Sequence, residues 1–120
     1  MFTNAFLLTL LIAVTSGAPQ EDDAGLEYRL DPGDSFDVDV GTSATRFQLT
    51  PKPQFSGTTT VCITWERPDG STFDEEHEVS EGDDPLDLVR YGPGHESYRI
   101  KSIKLKNNSS GVARGCYKVS

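Results

Sequence analysis

The amino-acid sequence predicts an all-β fold: a small antiparallel β-sandwich of two sheets, with about eight short strands and one disulfide. Two observations lead to the strand prediction. After residue 25, apolar and polar residues alternate in short runs and do not recur at the three- and four-residue spacing of an amphipathic helix. Clusters of Gly, Pro, Asp and Ser separate these runs, as turns between strands require.

The first half of this region contains three short alternating segments and one long one. The short segments are EYRL at 27–30, SFDVDV at 35–40 and TRFQLT at 45–50, with turn residues PGD and GTS between them. The long segment, GTTTVCITWE at 57–66, is the strongest predicted strand, because β-branched residues suit a pleated and half-buried surface. Alternation places Val61, Ile63 and Trp65 on one face of this strand and Cys62 on the other.

The second half continues the pattern. A tight turn, RPDGS, joins the long strand to a returning hairpin arm, TFDEEHEV at 72–79. The remaining predicted strands are LDLVRY at 86–91, SYRIKSIKLK at 97–106 and VARGCYKV at 112–119. The loop YGPGH and the hairpin turn NNSSG separate them.

The segment 97–106 requires an irregularity. Tyr98 and Ile100 share one parity along the strand, whereas Ile103 and Leu105 have the opposite parity. One extra residue near 101–102 would return all four side chains to the same face. The sequence therefore predicts a β-bulge at this point.

Residues 1–17 are predicted to be a cleaved secretory signal peptide. An apolar run from Phe6 to Val14 is followed by small residues and then by an abrupt acidic stretch. The run is shorter than the roughly 20 residues of a membrane-spanning helix, which disfavours a membrane anchor. Residues 18–25 are predicted to be a flexible acidic leader, and 26–120 a single β-sandwich domain. We therefore expect a secreted, extracellular protein with no transmembrane segment after cleavage.

Cys62 and Cys116 are the only cysteines in the chain. In a secreted protein an even number of cysteines favours a disulfide, so the two are predicted to be bonded. The bond would close a loop of roughly 54 residues and contribute about 4 kcal/mol in the chain-entropy model.

The charges of the chain are unevenly distributed. The net charge is −8, yet residues 74–89 carry eight acids and no base, and residues 90–120 carry seven bases and one acid. So much negative charge makes nucleic acid an unsuitable partner. Strand parity turns Asp74, Glu76 and Glu78 outward, where we expect Arg99, Lys104 and Lys106 to offset their repulsion across the sheet.

A calcium site is the alternative interpretation of the acidic residues. Ca²⁺ prefers six to eight oxygen ligands gathered from loops. The segments DPGDSFDVD at 31–39 and EGDDPLD at 81–87 are acidic loops, and the candidate ligands in them are Asp31, Asp34, Asp83 and Asp84. The sequence contains no EF-hand spacing. Whether the two loops meet at one end of the sandwich decides this hypothesis.

Other functional sites have weaker support. His77 and His95 could form an acid–base pair of a small secreted hydrolase, or bind zinc with further ligands, but no catalytic motif accompanies them. Parity places His77 inward, beside Phe73 and Val79. The exposed aromatic residues of a sugar-binding platform would be Trp65, Tyr91, Tyr98 and Tyr117, although such residues more often pack in a core.

Asn107 and Asn108 lie in overlapping N-glycosylation sequons, Asn-Asn-Ser and Asn-Ser-Ser, at a predicted hairpin tip. Either asparagine is therefore a candidate for modification, and turn chemistry alone also explains both residues.

These observations together predict a small, acidic, secreted protein that binds an extracellular protein or glycan and is not an enzyme. An effector, a venom or toxin component and an extracellular factor all fit this size and export signal. A Ca²⁺-assisted carbohydrate- or lipid-binding module is the second hypothesis, and a small hydrolase is the third. No other cofactor is expected.

Overall fold

The computed structural model describes residues 25–120 as eight β-strands in two antiparallel four-stranded sheets. The predicted signal peptide 1–17 and residues 18–24 of the predicted leader lie outside the described residues. The all-β, two-sheet prediction is confirmed. The strands are β1 (Leu26–Leu30), β2 (Ser35–Val38), β3 (Arg46–Pro51), β4 (Thr59–Glu66), β5 (Thr72–Val79), β6 (Leu86–Val89), β7 (Arg99–Lys106) and β8 (Ala113–Val119).

The chain repeatedly crosses between the two sheets. Sheet A has the strand order β1-β8-β3-β6, and sheet B has the order β2-β7-β4-β5. Strands β1 and β6 are therefore the edges of sheet A, and β2 and β5 are the edges of sheet B. Residues 25–120 include no helix with the length and hydrophobicity that crossing a bilayer requires.

Strand pairing groups the loops at two ends of the sandwich. Leu30 pairs with Ala113, Thr60 with Lys106, and Thr59 with Val79, so the loops adjoining these residues share one end. We call it the Asn107 end; its loops are 31–34, 52–58, 80–85 and 107–112. The loops 39–45, 67–71 and 90–98 lie at the opposite end.

The core fills the space between the inner faces of the sheets. Strand β4 contributes Val61, Ile63 and Trp65, which are all at most 1% exposed, and Phe47 and Leu49 of β3 face them from sheet A with no exposure. Burying an apolar side chain of this size contributes about 1.5–3 kcal/mol relative to leaving it in water. The alternation seen in the sequence thus becomes the division between the core and the outer surface.

The predicted β-bulge is confirmed in β7. Thr64 of β4 pairs with Ser102, whereas the next residue, Trp65, pairs with Ile100. Lys101 is therefore the extra residue, and Ile100 and Ile103 both remain buried despite their different parities. The bulge keeps the full length of β7 against the core.

The predicted disulfide is wrong, because Cys62 and Cys116 are not bonded. Cys62 lies on the outer face of sheet B, beside exposed Glu76, and Cys116 lies on the outer face of sheet A, paired with exposed Glu27. Two packed sheets are separated by about 10 Å, and side chains on their outer faces point apart. A disulfide needs Cα atoms within about 4.4–6.8 Å, so the intramolecular bond is excluded.

The cysteine placement predicts two titratable thiols per folded chain. Thiol labelling of the native protein with Ellman's reagent should therefore give two equivalents. Adding a reductant should leave the thermal midpoint of the monomer unchanged, because no intramolecular disulfide stabilises it. A monomer with no free thiol, or a lower thermal midpoint in the presence of reductant, would show that the two cysteines are bonded.

Candidate binding face

Three of the four strands of sheet B, β5, β4 and β7, carry outward rows of side chains that together we call the charged face; Ser35 and Asp37 of edge strand β2 lie beyond the row on β7. The row on edge strand β5 is acidic, the row on the central strand β4 is neutral, and the row on β7 is basic. The acidic row is Asp74, Glu76 and Glu78, the neutral row is Thr60, Cys62 and Thr64, and the basic row is Lys104 and Lys106.

The strand registers align the three rows. Cys62 pairs with Glu76 on one side and with Lys104 on the other, and Thr60 stands in the same way between Glu78 and Lys106. Adjacent strands are about 4.8 Å apart, so the acidic and basic rows are separated by about 10 Å. The small side chains of β4 form the floor of a shallow trough between longer charged ones.

The acidic and basic rows do not neutralise each other. Within residues 25–120, no ion pair joins the acidic row to Lys104 or Lys106. The Lys104 ammonium instead lies 3.9 Å from Asp37 of edge strand β2. Arg99, which the sequence assigned to offsetting the acids, pairs with Glu66. The charged face therefore keeps segregated charges that are open to solvent.

Cys62 is the chemically distinctive residue of the charged face. Its thiol lies 3.4 Å from Glu76 Oε2 and donates a hydrogen bond to it. Partial burial raises the pKa of the Cys62 thiol, and the hydrogen bond to the Glu76 carboxylate raises it further. The residue is therefore a protonated thiol at neutral pH, which makes it a slow nucleophile.

A polar network supports β5 from the inner side. Glu75 accepts a hydrogen bond from Trp65 Nε1 at 2.6 Å and is held by Arg90, whose Nε and Nη2 atoms donate at 3.0 and 2.8 Å. Arg90 follows β6, so the ion pair connects the edges of the two sheets. Trp65 has no exposed surface, and its indole N–H needs this acceptor.

The environment of Glu75 favours its ionised form. Burial alone would raise its pKa, but hydrogen bonds from Arg90 and Trp65, with the charge of Arg90, lower the pKa below its usual value. Strand parity within TFDEEHEV places Glu75 on the inner face with Phe73. A carboxylate that faces the core is the signal in the sequence for this network, but nothing in the sequence identifies Arg90 as its partner.

The two histidines are separated. His77 lies on β5 and faces inward as predicted; its Nε2 atom is buried and has no hydrogen-bond partner within residues 25–120. His95 lies in the exposed loop 90–98, where its φ of 66° places it in the left-handed region. The structure does not bring the two imidazoles into one site.

A polar cleft of about 310 Å³ lies at the end of the sandwich opposite Asn107. Arg99 lines it and uses its guanidinium internally, donating to Glu66 and to the Thr42 carbonyl. Arg67 also lines it, and its guanidinium lies 4.4 Å from the Phe73 ring centroid. Both arginines thus mainly hold the β4–β5 turn and the neighbouring loops in place.

The four candidate calcium ligands form two separate groups. Asp31 and Asp34 lie in one turn, where Asp34 Oδ2 accepts from the Asp31 backbone, and Asp83 Oδ2 accepts from the Ser80 backbone in loop 80–85. Both loops are at the Asn107 end, but they join opposite edges of the sandwich. Within the described range 25–120, no group of three His, Cys, Asp or Glu residues is arranged to hold a metal ion.

Asn107 and Asn108 have opposite environments. Asn107 has no exposed surface; its Nδ2 donates to the carbonyls of Leu30 and Gly111 at 2.9 and 2.7 Å. Its Oδ1 accepts from the backbone and hydroxyl of Ser109. Asn108 is exposed. Both residues lie in sequons, so the sequence alone does not distinguish them, whereas the contacts of the folded chain do.

The candidate aromatic platform does not assemble. Trp65 is fully buried, Tyr117 packs among the rings of Tyr28, Phe36 and Phe47, and Tyr98 contacts Phe73 edge to face. Tyr91 is the exposed member, at 61%.

No protein-family model matches this chain, and no curated protein matches it.

The Glu75 network predicts a pH-dependent contribution to stability. Because the pKa of Glu75 is lower in the folded state, its contribution is fully present above the ordinary carboxyl pKa of about 4.3 and is lost as pH falls through the folded-state value. Glu75→Gln should lower the free energy of unfolding at neutral pH by about 1–2 kcal/mol, since Arg90 loses its charged partner. Glu78→Gln, on the outer side of β5, is the matched control.

Denaturant unfolding at pH 7 and pH 3 measures this effect. The difference between the wild type and Glu75→Gln should shrink at pH 3, because this pH is below the ordinary carboxyl pKa and the unfolded chain is protonated there. An equal destabilisation at both pH values would show that the ionised carboxylate is not the stabilising group.

Proposed function

We propose that this protein is a small secreted binding protein without enzymatic activity, and that it recognises an extracellular partner through the charged face. The observation that carries the proposal is the separation of the acidic row on β5 from the basic row on β7. Effector, toxin component and extracellular factor are all compatible with such a role.

The charge arrangement supports recognition by complementarity. Charges already paired within the chain, such as Arg46 with Asp87 at 2.7 Å, have little to offer a partner. The lysines and the carboxylates of the charged face form no ion pair with each other, and Lys104 approaches Asp37 only to 3.9 Å. They can therefore meet a partner of matching pattern. Complementary charges of this kind raise the association rate and exclude partners with like charges. The preferred partner is a protein surface that presents a basic stripe and an acidic stripe about 10 Å apart.

Reversing the basic row tests the binding proposal. The double variant Lys104→Glu, Lys106→Glu should lose binding to any ligand that the wild type retains on an array of purified extracellular proteins and glycans. The control is Arg29→Glu, Lys118→Glu on the outer face of sheet A, which changes the net charge equally. Equal loss in both variants, or a wild type that retains no ligand, would contradict the proposal.

We also propose that an N-linked glycan, where the chain passes through a eukaryotic secretory pathway, resides on Asn108 and not on Asn107. Asn108 and its sequon partner Ser110 are exposed. A glycan on Asn107 would remove one of the two Nδ2 donors and require a bulky sugar at a position with no exposed surface. Glycosylation at Asn107 and folding are therefore incompatible.

Two asparagine substitutions separate the roles of these residues. Asn108→Gln should remove the glycan from the secreted protein and leave the thermal midpoint of the deglycosylated chain unchanged. Asn107→Ala should lower stability by about 1–3 kcal/mol, because buried carbonyls lose their donors. Glycopeptide mass spectrometry and thermal melts check both results. A glycan retained in Asn108→Gln, or a fully stable Asn107→Ala, would contradict the assignment.

A further inference from the structure

We infer that the charged face binds a second copy of this chain, forming a face-to-face two-fold dimer whose rotation axis runs parallel to β4. The inference rests on the proposed function, because it uses the same face, and it names the partner that the row pattern fits. The order of the three rows determines which rotation brings opposite charges together.

The order of the rows makes the charged face complementary to itself. The neutral row lies in the middle, with the acidic row on one side and the basic row on the other. A half-turn about an axis along β4 carries each β5 onto the β7 of the facing copy. Because this rotation preserves position along the strand, the register places Glu76 opposite the partner's Lys104 and Glu78 opposite the partner's Lys106.

The alternative rotation is electrostatically excluded. A half-turn about an axis lying in the face but perpendicular to β4 places each β5 opposite the partner's β5. Three carboxylates would then face three carboxylates without a cation between them, and like charges placed directly opposite one another are destabilising. The charges therefore select one of the two face-to-face arrangements.

The side-chain sizes suit close approach along the axis. The central row contains only Thr60, Cys62 and Thr64, and each of these meets its own copy across the axis. Lys104, Glu76 and Glu78 are exposed and long enough to reach across from the sides. Aligned packing, which keeps strand directions within about 30°, is the common arrangement for two stacked sheets.

The size of the charged face limits the strength of the dimer. Three strands of eight residues cover about 14 by 27 Å, so the dimer buries roughly 800 Å² in total, which is below the standard range for a stable interface. Association must also overcome the −8 net charge of each copy. The dimer is accordingly weak and concentration-dependent, and salt weakens it further by screening the row-to-row pairs.

Charge reversal and charge exchange test the dimer by sedimentation equilibrium. Asn108 borders Thr60 and Glu78 of the charged face, so the protein is prepared without a glycan on Asn108. This unglycosylated wild type should dimerise at high protein concentration and low salt. Lys104→Glu and Glu76→Lys should each raise the dissociation constant by about tenfold or more, because each creates two like-charge contacts per dimer. The double variant Lys104→Glu, Glu76→Lys exchanges the two charges and should restore association. Lys118→Glu on sheet A is the control for a change in net charge.

The Glu76→Lys variant distinguishes this arrangement from general electrostatic repulsion. It reduces the net negative charge of the chain, so general repulsion alone predicts stronger self-association. The inferred dimer predicts weaker association. A wild type that stays monomeric throughout, or a double variant no better than the single ones, would overturn the dimer. The array experiment measures binding to other extracellular molecules, so failure of the dimer and failure of the proposed function give different results.

In the inferred dimer the two Cys62 thiols face each other across the rotation axis, so cross-linking between them tests the position of the axis. A short bis-maleimide, used at mildly alkaline pH to deprotonate the thiol, should cross-link the Cys116→Ser variant, which retains Cys62. It should not cross-link Cys62→Ser, which retains Cys116 on the outer face of sheet A. Efficient cross-linking of Cys62→Ser alone would place the interface on the other sheet and overturn the proposal.

Discussion

The alternation along β4 is the constraint on which the rest of the structure depends. Strand β4 pairs with both β5 and β7, so its register fixes which residues of three strands face the core and which face outward. Val61, Ile63 and Trp65 anchor the core, and the neighbouring residues form the floor of the charged face. A register slip of one residue would exchange the two sets. Exposing Trp65, Val61 and Ile63 to water would be unfavourable. The same register that keeps them buried therefore keeps the charged rows on the outer surface.

The carboxylates of edge strand β5 are stabilised in two different ways. Its outward carboxylates stay in water, where they discourage unwanted pairing of the exposed edge with other strands. Its inward carboxylate, Glu75, is partly buried, and Arg90 and the Trp65 N–H compensate the loss of hydration. The pair is partly exposed, and several hydrogen bonds to Glu75 offset the cost of removing its carboxylate from water. Here the pair holds the edge of sheet B in register with the edge of sheet A.

The sequence was sufficient for features that depend on local periodicity. All eight strands, and the bulge at Lys101, follow from the spacing of apolar residues within each segment. Features that depend on strand order could not be predicted from local periodicity. The four candidate calcium ligands, for example, fall into two separate groups, because loops 31–34 and 80–85 share one end of the sandwich but join opposite edges. The disulfide was predicted from compartment and count, although the parity of Cys62 relative to Trp65 already placed its thiol outside the core. Asn107 and Glu75 acquire their roles from Leu30 and Arg90, partners that no spacing rule connects to them.

Asn107 has a further consequence for how the molecule opens. Its side chain joins the end of β1 to loop 107–112, and its backbone exchanges hydrogen bonds with Gly33 and Asp34 in the β1–β2 turn. The contact to Leu30 spans 77 residues of sequence. Strand β1 is a short edge strand, so its attachment to sheet A depends strongly on this one end. Because the buried Asn107 side chain connects them, β1, the turn 31–34 and loop 107–112 should exchange their backbone amide protons as a single cooperative unit. The backbone amides of β4 should exchange only on global unfolding.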